Sequence, residues 1–291
     1  MSTSKWGENF DAATPVGLVF QRSWNQRSKH LHELTAEILA QESPTSEQVH
    51  QLRVASRRLQ AVIDLFDDQL PRKLRETLDS SLHDLRRLAG HTRDLDVFAI
   101  FFEQQVSSPD SDIPPETAQQ IRELLTHRRI VELARFHSGL KTLQPQLDQR
   151  ITLIDEELSK PHRVSASTPP VGDYALARLP EQAKKFAKRL KQADRDPDTL
   201  HRLRIQGKEL RYTLELFAPL FPDSFRSDLY PQLEQLQDQL GSLQDCITAE
   251  SVIRRLKKFS SSYPDEIAEL LTSLKRSWKH LRSSNRERRE T

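Results

Sequence analysis

The chain contains one cysteine, Cys246, among 291 residues. No disulfide can form within it, and no cysteine-rich zinc site can be built. Glycine is scarce, at seven residues, and neither Asn-Gly nor Asp-Gly occurs. The tight hairpin turns of a β-rich fold are therefore missing, and Val and Ile lie at helical rather than alternating spacing. No run approaches the roughly eighteen apolar residues that would suggest a membrane-spanning helix. Met1 to Asp11 is polar and has no apolar core, which predicts no secretion signal. A large net charge is missing as well: 44 Lys and Arg face 42 Asp and Glu, for a formal +2. Proteins that coat nucleic acid are commonly strongly basic. Any anion site here must be a local concentration of charge. The expectation from these absences is a cytoplasmic protein with no membrane segment and no nucleic-acid partner.

Charge itself is abundant, at 30 % of residues. High charge with little glycine suits long exposed helices, because Lys, Arg, Glu and Gln cost little in helix propensity. The pattern also repeats. His50-Gln-Leu-Arg-Val-Ala-Ser-Arg-Arg-Leu runs parallel to His201-Arg-Leu-Arg-Ile-Gln-Gly-Lys-Glu-Leu, 151 residues later. The same offset carries Phe66 onto Phe217, Pro71 onto Pro222, Gly90 onto Gly241 and Asp94 onto Asp245 without a gap. Such register marks an internal duplication. The seam falls between about Lys160 and Gly172, a stretch holding Pro161, Pro169 and Pro170.

Apolar spacing predicts helices over about 16–41, 47–67, 71–90, 93–105 and 116–158, the last interrupted near Pro145. The second half repeats the scheme over about 173–193, 198–218, 222–243, 244–259 and 264–284, followed by a polar tail, 285–291. Thr45 and Gln48 form a potential capping box. The expected fold is all-α: two pseudo-symmetric four-helix bundles, about 16–160 and 172–284, within one domain spanning 16–284.

On a helix, Leu52, Leu59, Ile63 and Phe66 share one arc, and His50, Arg53 and Arg57 lie opposite. The second copy sets Leu203, Leu210, Leu214 and Phe217 against His201, Arg204, Lys208 and Arg211. The apolar arcs are core. The basic arcs have a plain alternative, a solvated face, but solvated faces usually place acids a turn away from bases. From His50 to Arg57 and from His201 to Arg211 the stripes show no such mixing. If the duplicated halves face one another, the stripes become opposite walls of one basic cleft or pore, with cations converging without obvious carboxylate partners. Lys185 and Arg189, in a lysine-rich run, and Arg22 and Lys29, opposite Trp24 and Leu31, are further candidate lining residues.

These motifs resemble the CHAD domain, the conserved histidine α-helical domain family. His-x-x-Arg-Val-x-x-Arg-Arg-Leu from His50, with Gly-x-x-Arg-Asp-x-Asp-Val from Gly90, is similar to its first half. His-Arg-Leu-Arg-Ile-x-x-Lys-x-Leu-Arg-Tyr from His201, with Leu-Gly-x-Leu-Gln-Asp from Leu240, is similar to its second. The resemblance implies a stand-alone module that binds inorganic polyphosphate through His50, Arg53, Arg57, Arg58, His201, Arg204, Lys208 and Arg211, without catalysis. In one departure, Gln60 stands where the family often carries a further Arg. Helical steps of about 5.4 Å per turn match the scale of a few phosphates. Arginine forks hold two phosphate oxygens at once.

A rival expectation is a metal-dependent phosphate-processing or phosphohistidine enzyme. Glu47-x-x-His50 and Asp198-x-x-His201 are half of a di-iron signature, and Asp94 and Asp245 are the repeated extra carboxylates. An acid in a first helical turn, however, interacts favourably with the helix dipole without any metal. No Walker loop, Gly-x-Ser-x-Gly or His-Glu-x-x-His is present, and no cofactor is expected. The region 107–158, where the halves differ most, is the candidate surface for a partner that would recruit the protein to polyphosphate or storage granules.

Overall fold

Proline starts several of the helices. Pro15 precedes α1 (Val16–Leu39), and Pro71 precedes α3 (Arg72–Val106). Pro115 opens α4 (Pro115–Leu158) and Pro197 opens α6 (Pro197–Leu216). Proline suits these positions because its missing N–H would be unpaired there anyway. α2 (Ser46–Leu65) starts instead on a complete capping box: the Thr45 side chain accepts from the Gln48 N–H at 3.2 Å, and the Gln48 side chain accepts from the Thr45 N–H at 2.8 Å. α5 (Val171–Gln192) and α7 (Tyr230–Phe259) complete the set, with 3₁₀ turns at Pro161–Arg163 and Ala218–Leu220 and a π turn at Phe225–Leu229. This computed structural model describes residues 5–109, 111, 113–163, 168–192 and 197–259. The helix expected over 264–284 and the tail 285–291 lie outside them.

The fold is all-α, with no strand among the described residues. The bounds of α2 and α6 differ by 151 at both ends, the offset of the sequence repeat. The entrances to α1 and α5 are tied reciprocally. Val16 N–H donates to the Pro169 carbonyl at 2.9 Å, and Val171 N–H donates to the Thr14 carbonyl at 2.8 Å. Gly172 lies close enough to Ala12 that an added Cβ would come within 2.9 Å of the alanine Cβ.

Three expected breaks do not occur. Helix runs unbroken through Gly90 in α3, because its residues are buried on both sides of the glycine, Leu82, Leu85 and Ala89 before it and Leu95 and Phe98 after it. That burial outweighs a helix-interior glycine cost of about 1 kcal/mol. α4 likewise runs through Pro145, which is exposed while Leu143 and Leu147 on either side are buried. α7 joins the segments expected separately as 222–243 and 244–259.

The chain forms two compact units, one of residues 1–88 with 137–240 and one of residues 89–136 with 241–291. Each draws on both sequence halves. In the first, Val19, Phe20, Trp24, Leu31 and Ile38 of α1 are buried with Leu52, Leu59 and Ile63 of α2, and with Phe66 just beyond its end. Trp24 is held at its polar edge by a 2.6 Å hydrogen bond to Asp155. The repeat-related Phe66 and Phe217 meet edge to face with centroids 6.4 Å apart. In the second unit, Leu95, Phe98 and Phe102 of α3 pack with Ile121 and Leu124 of α4 and Val252 and Ile253 of α7.

Candidate anion-binding site

α2 packs against α6 inside the first unit. Their apolar arcs go to the core, where Leu52, Leu59, Leu203 and Phe217 are buried. The basic faces are thereby brought together around Lys208. Burial, then Arg204, Arg57, Arg211 and Arg53 in turn, pull the Lys208 ammonium down from its ordinary 10.5 to about 7. Two of these arginines come from each helix. Among the described residues no carboxylate oxygen lies within 4.0 Å of Lys208 or of Arg57. Arg53 also donates to the Arg86 carbonyl.

Two of the expected cations are internally neutralised, which corrects the reading of a stripe without carboxylate partners. Glu215 is almost wholly buried, its side chain 1 % exposed. Arg58 Nε from α2 donates to its Oε2 at 3.0 Å. An amino group of Arg211 lies 3.3 Å from Oε1, and Tyr230 O–H donates to the same oxygen at 2.6 Å. Both guanidiniums lie near the Tyr212 ring, 5.9 Å and 4.9 Å from its centroid. Burial and Glu215 push the Tyr230 hydroxyl pKa up, so it stays a donor. The signal was present in the sequence: Glu215 is one turn beyond Arg211, in the middle of the basic arc, and at i,i+4 from it.

At the repeat offset, Glu215 corresponds to Asp64, Arg211 to Gln60 and Arg58 to Glu209. The corresponding contacts have opposite electrostatics. Gln60 Nε2 donates to Asp64 at 2.9 Å, at the place where Arg211 is ion-paired with Glu215. Where Arg58 attracts Glu215, however, Glu209 and Asp64 repel: burial first and Asp64 second hold the Glu209 carboxyl above its ordinary range. The departure at Gln60 therefore belongs to a second end where Arg75 and Arg86 act on Asp64 from farther off than the arginines ion-paired with Glu215.

Two arginines and a histidine that the sequence reading missed join the cluster. Arg86 of α3 is lowered by burial and then by Arg57. Arg27 of α1 is 5 % exposed, donates to the Lys5 carbonyl at 2.9 Å, and is lowered to about 10 by burial and then Arg58. His30 is held below its ordinary value by burial, with Arg27 and Arg58 adding to the effect against an opposing Glu33. None of the three lies in the repeated His-x-x-Arg stripes, so only packing reveals them. The remaining expected residues are more peripheral. His50 is half-buried on α2 and His201 exposed on α6. Arg189 is half-buried and acts on Glu209. Lys185 pairs with Glu181 at 2.7 Å on the open face of α5, and Lys29 with Glu33 at 3.9 Å on α1, where Arg22 is also exposed.

Among the described residues no cluster of three or more His, Cys, Asp or Glu side chains could hold a metal ion. Asp94 is paired with Arg255 at 3.0 Å. The side chains of Asp198, Asp245 and Cys246 lie outside those described. None of the described helices is long and apolar enough to cross a membrane.

The family model for the CHAD domain matches residues 25–254. The fold is similar to the crystal structure of the CHAD domain from the plant Ricinus communis: TM-score 0.75 and 20 % identity, over 96 % of this chain and 90 % of that one. It is also similar to PptA from Streptomyces chartreusis: TM-score 0.64 and 14 % identity, over 94 % and 97 % of the two chains. No curated protein matches the chain by sequence.

Proposed function

Because the chain belongs to the CHAD domain family, we propose that its clustered cations bind inorganic polyphosphate, and that the domain binds the polymer without transforming it. The carrying observation is Lys208 surrounded by Arg53, Arg57, Arg204 and Arg211. Like charges brought together at a partly buried site are unfavourable until an anion enters. A flexible polyanion supplies charge at every phosphate, so it can answer cations spread over two helices where a single small anion cannot. Arginine holds phosphate oxygens in pairs, and Lys208 adds a point charge at the centre. Association of this kind releases counterions, and its affinity falls with salt as for nucleic acids. Residence on polyphosphate granules in the cytoplasm would follow from such binding, and a protein partner at 107–158 would be a separate, additional contact.

The test is calorimetric titration with long-chain inorganic polyphosphate at low and raised salt, using wild type and Arg57→Ala/Lys208→Ala. Expected are tight, salt-sensitive binding by wild type and its loss in the variant. The variant relieves like-charge crowding, so its melting temperature should equal or exceed that of wild type. Loss of binding therefore cannot be put down to unfolding. A wild type that does not bind, or a variant that binds equally, overturns the proposal.

A further inference from the structure

Glu215 presents a paradox for an anion site, since it puts a negative charge, almost fully buried, in the middle of the cations that would hold the ligand. Its three partners come from three helices: Arg58 of α2 and Tyr230 at the start of α7 donate hydrogen bonds to it, and Arg211 of α6 is ion-paired with it at 3.3 Å while donating to the Tyr230 hydroxyl. Two guanidiniums from different helices would otherwise repel one another. A shared carboxylate, steadied by the tyrosine hydroxyl, holds them near one aromatic ring, each guanidinium keeping further N–H groups for other acceptors. At the repeat-related place Asp64 has a glutamine partner at 2.9 Å and a repelling Glu209 beside it. The same kind of charge thus stands at both ends, but Glu215 is ion-paired with two arginines at 3.0 and 3.3 Å, whereas Arg75 and Arg86 act on Asp64 from beyond ion-pair distance.

Resting on the polyphosphate reading above, we infer that Glu215 is a positioning residue: it holds Arg58 and Arg211 at the separation at which both reach one polyphosphate chain. The inference reverses the sign expected from charge alone. Removing a negative charge from an anion site should tighten binding. Removing this one releases Arg58 from Arg211, which keeps Tyr230 at 3.3 Å and Glu234 at 3.6 Å, so the two arginines can move apart, and binding should weaken although the site has become more positive.

The experiment compares wild type, Glu215→Gln and Asp64→Asn in titrations with long-chain inorganic polyphosphate across a salt series. Glu215→Gln should weaken binding about tenfold, the scale of a lost charge-assisted contact. Its slope of log affinity against log salt should also be shallower, because fewer cations meet the chain. Asp64→Asn, the same charge change at the related place, should bind at least as tightly as wild type. A merely structural role would lower the folded fraction and leave the salt slope unchanged. If Glu215→Gln does not fold, Tyr230→Phe replaces it: this variant keeps every charge but loses the 2.6 Å bond that orients the carboxylate, so weaker binding with a shallower slope supports the inference and unchanged binding overturns it. Wild type that binds, with Glu215→Gln binding as tightly or more tightly, or with Asp64→Asn weakened equally, overturns this inference alone. Wild type that does not bind overturns the polyphosphate reading and this inference together.

Discussion

Lys208 has a stability consequence that requires no ligand. Its pKa in the folded protein is about 7, whereas the unfolded chain keeps the ordinary 10.5. Between those values the unfolded state binds more protons, so stability rises with pH. Below about pH 7 the lysine is charged in both states and its unfavourable crowding is fully present; it fades as pH climbs towards 10.5. Lys208→Gln should therefore be more stable than wild type near pH 6, with the difference shrinking as pH rises past 7. Denaturant unfolding at a series of pH values measures this, and a constant difference would count against the crowding of Lys208. The identities of the clustered cations were legible because helical periodicity sorts residues by face. Their electrostatic state was not, because it depends on how closely α2 and α6 approach. Glu215 was visible in the string, yet its bond to Arg58 crosses 157 residues of chain.

Helices at the element scale were legible where local chemistry starts them. The Thr45 box and the prolines at helix entrances act within a few residues, and α2 and α6 begin close to where their signals lie. Helix ends inferred from Gly90 and Pro145 were not, because packing of the flanking residues overrides local propensity. Pro145 remains costly where it sits: it cannot donate to the carbonyl four residues back, and its ring crowds that turn. Its side chain is exposed, so nothing packed depends on it. Pro145→Ala should stabilise the protein by about 1–3 kcal/mol, the lost penalty being partly offset by a more flexible unfolded chain. Unfolding in urea measures the gain; a destabilised variant would mean that the proline ring makes a contact the native helix needs.

For the whole molecule, every expected binding residue falls in the unit built from 1–88 and 137–240. Polyphosphate should therefore slow amide hydrogen exchange in α2 and α6 more than in the apolar cluster of the other unit, around Phe98–Phe102 and Ile121–Leu125. Equal protection of both would show that the two units open together and that the ligand acts on the pair.

The amino-acid sequence by itself determined the helical class, the repeated motifs, the apolar arcs that became core and the two basic arcs proposed as an anion site. These properties are periodic and local, and they are written along each segment. Only the tertiary structure decided that each compact unit takes residues from both sequence halves, that Arg27, His30 and Arg86 join the basic cluster, and that Glu215 ties Arg58 to Arg211 while Asp64 meets Glu209. The reason is physical: pairing and repulsion between charges depend on distance across helices, and burial sets their strength. Neither quantity exists until the helices have packed.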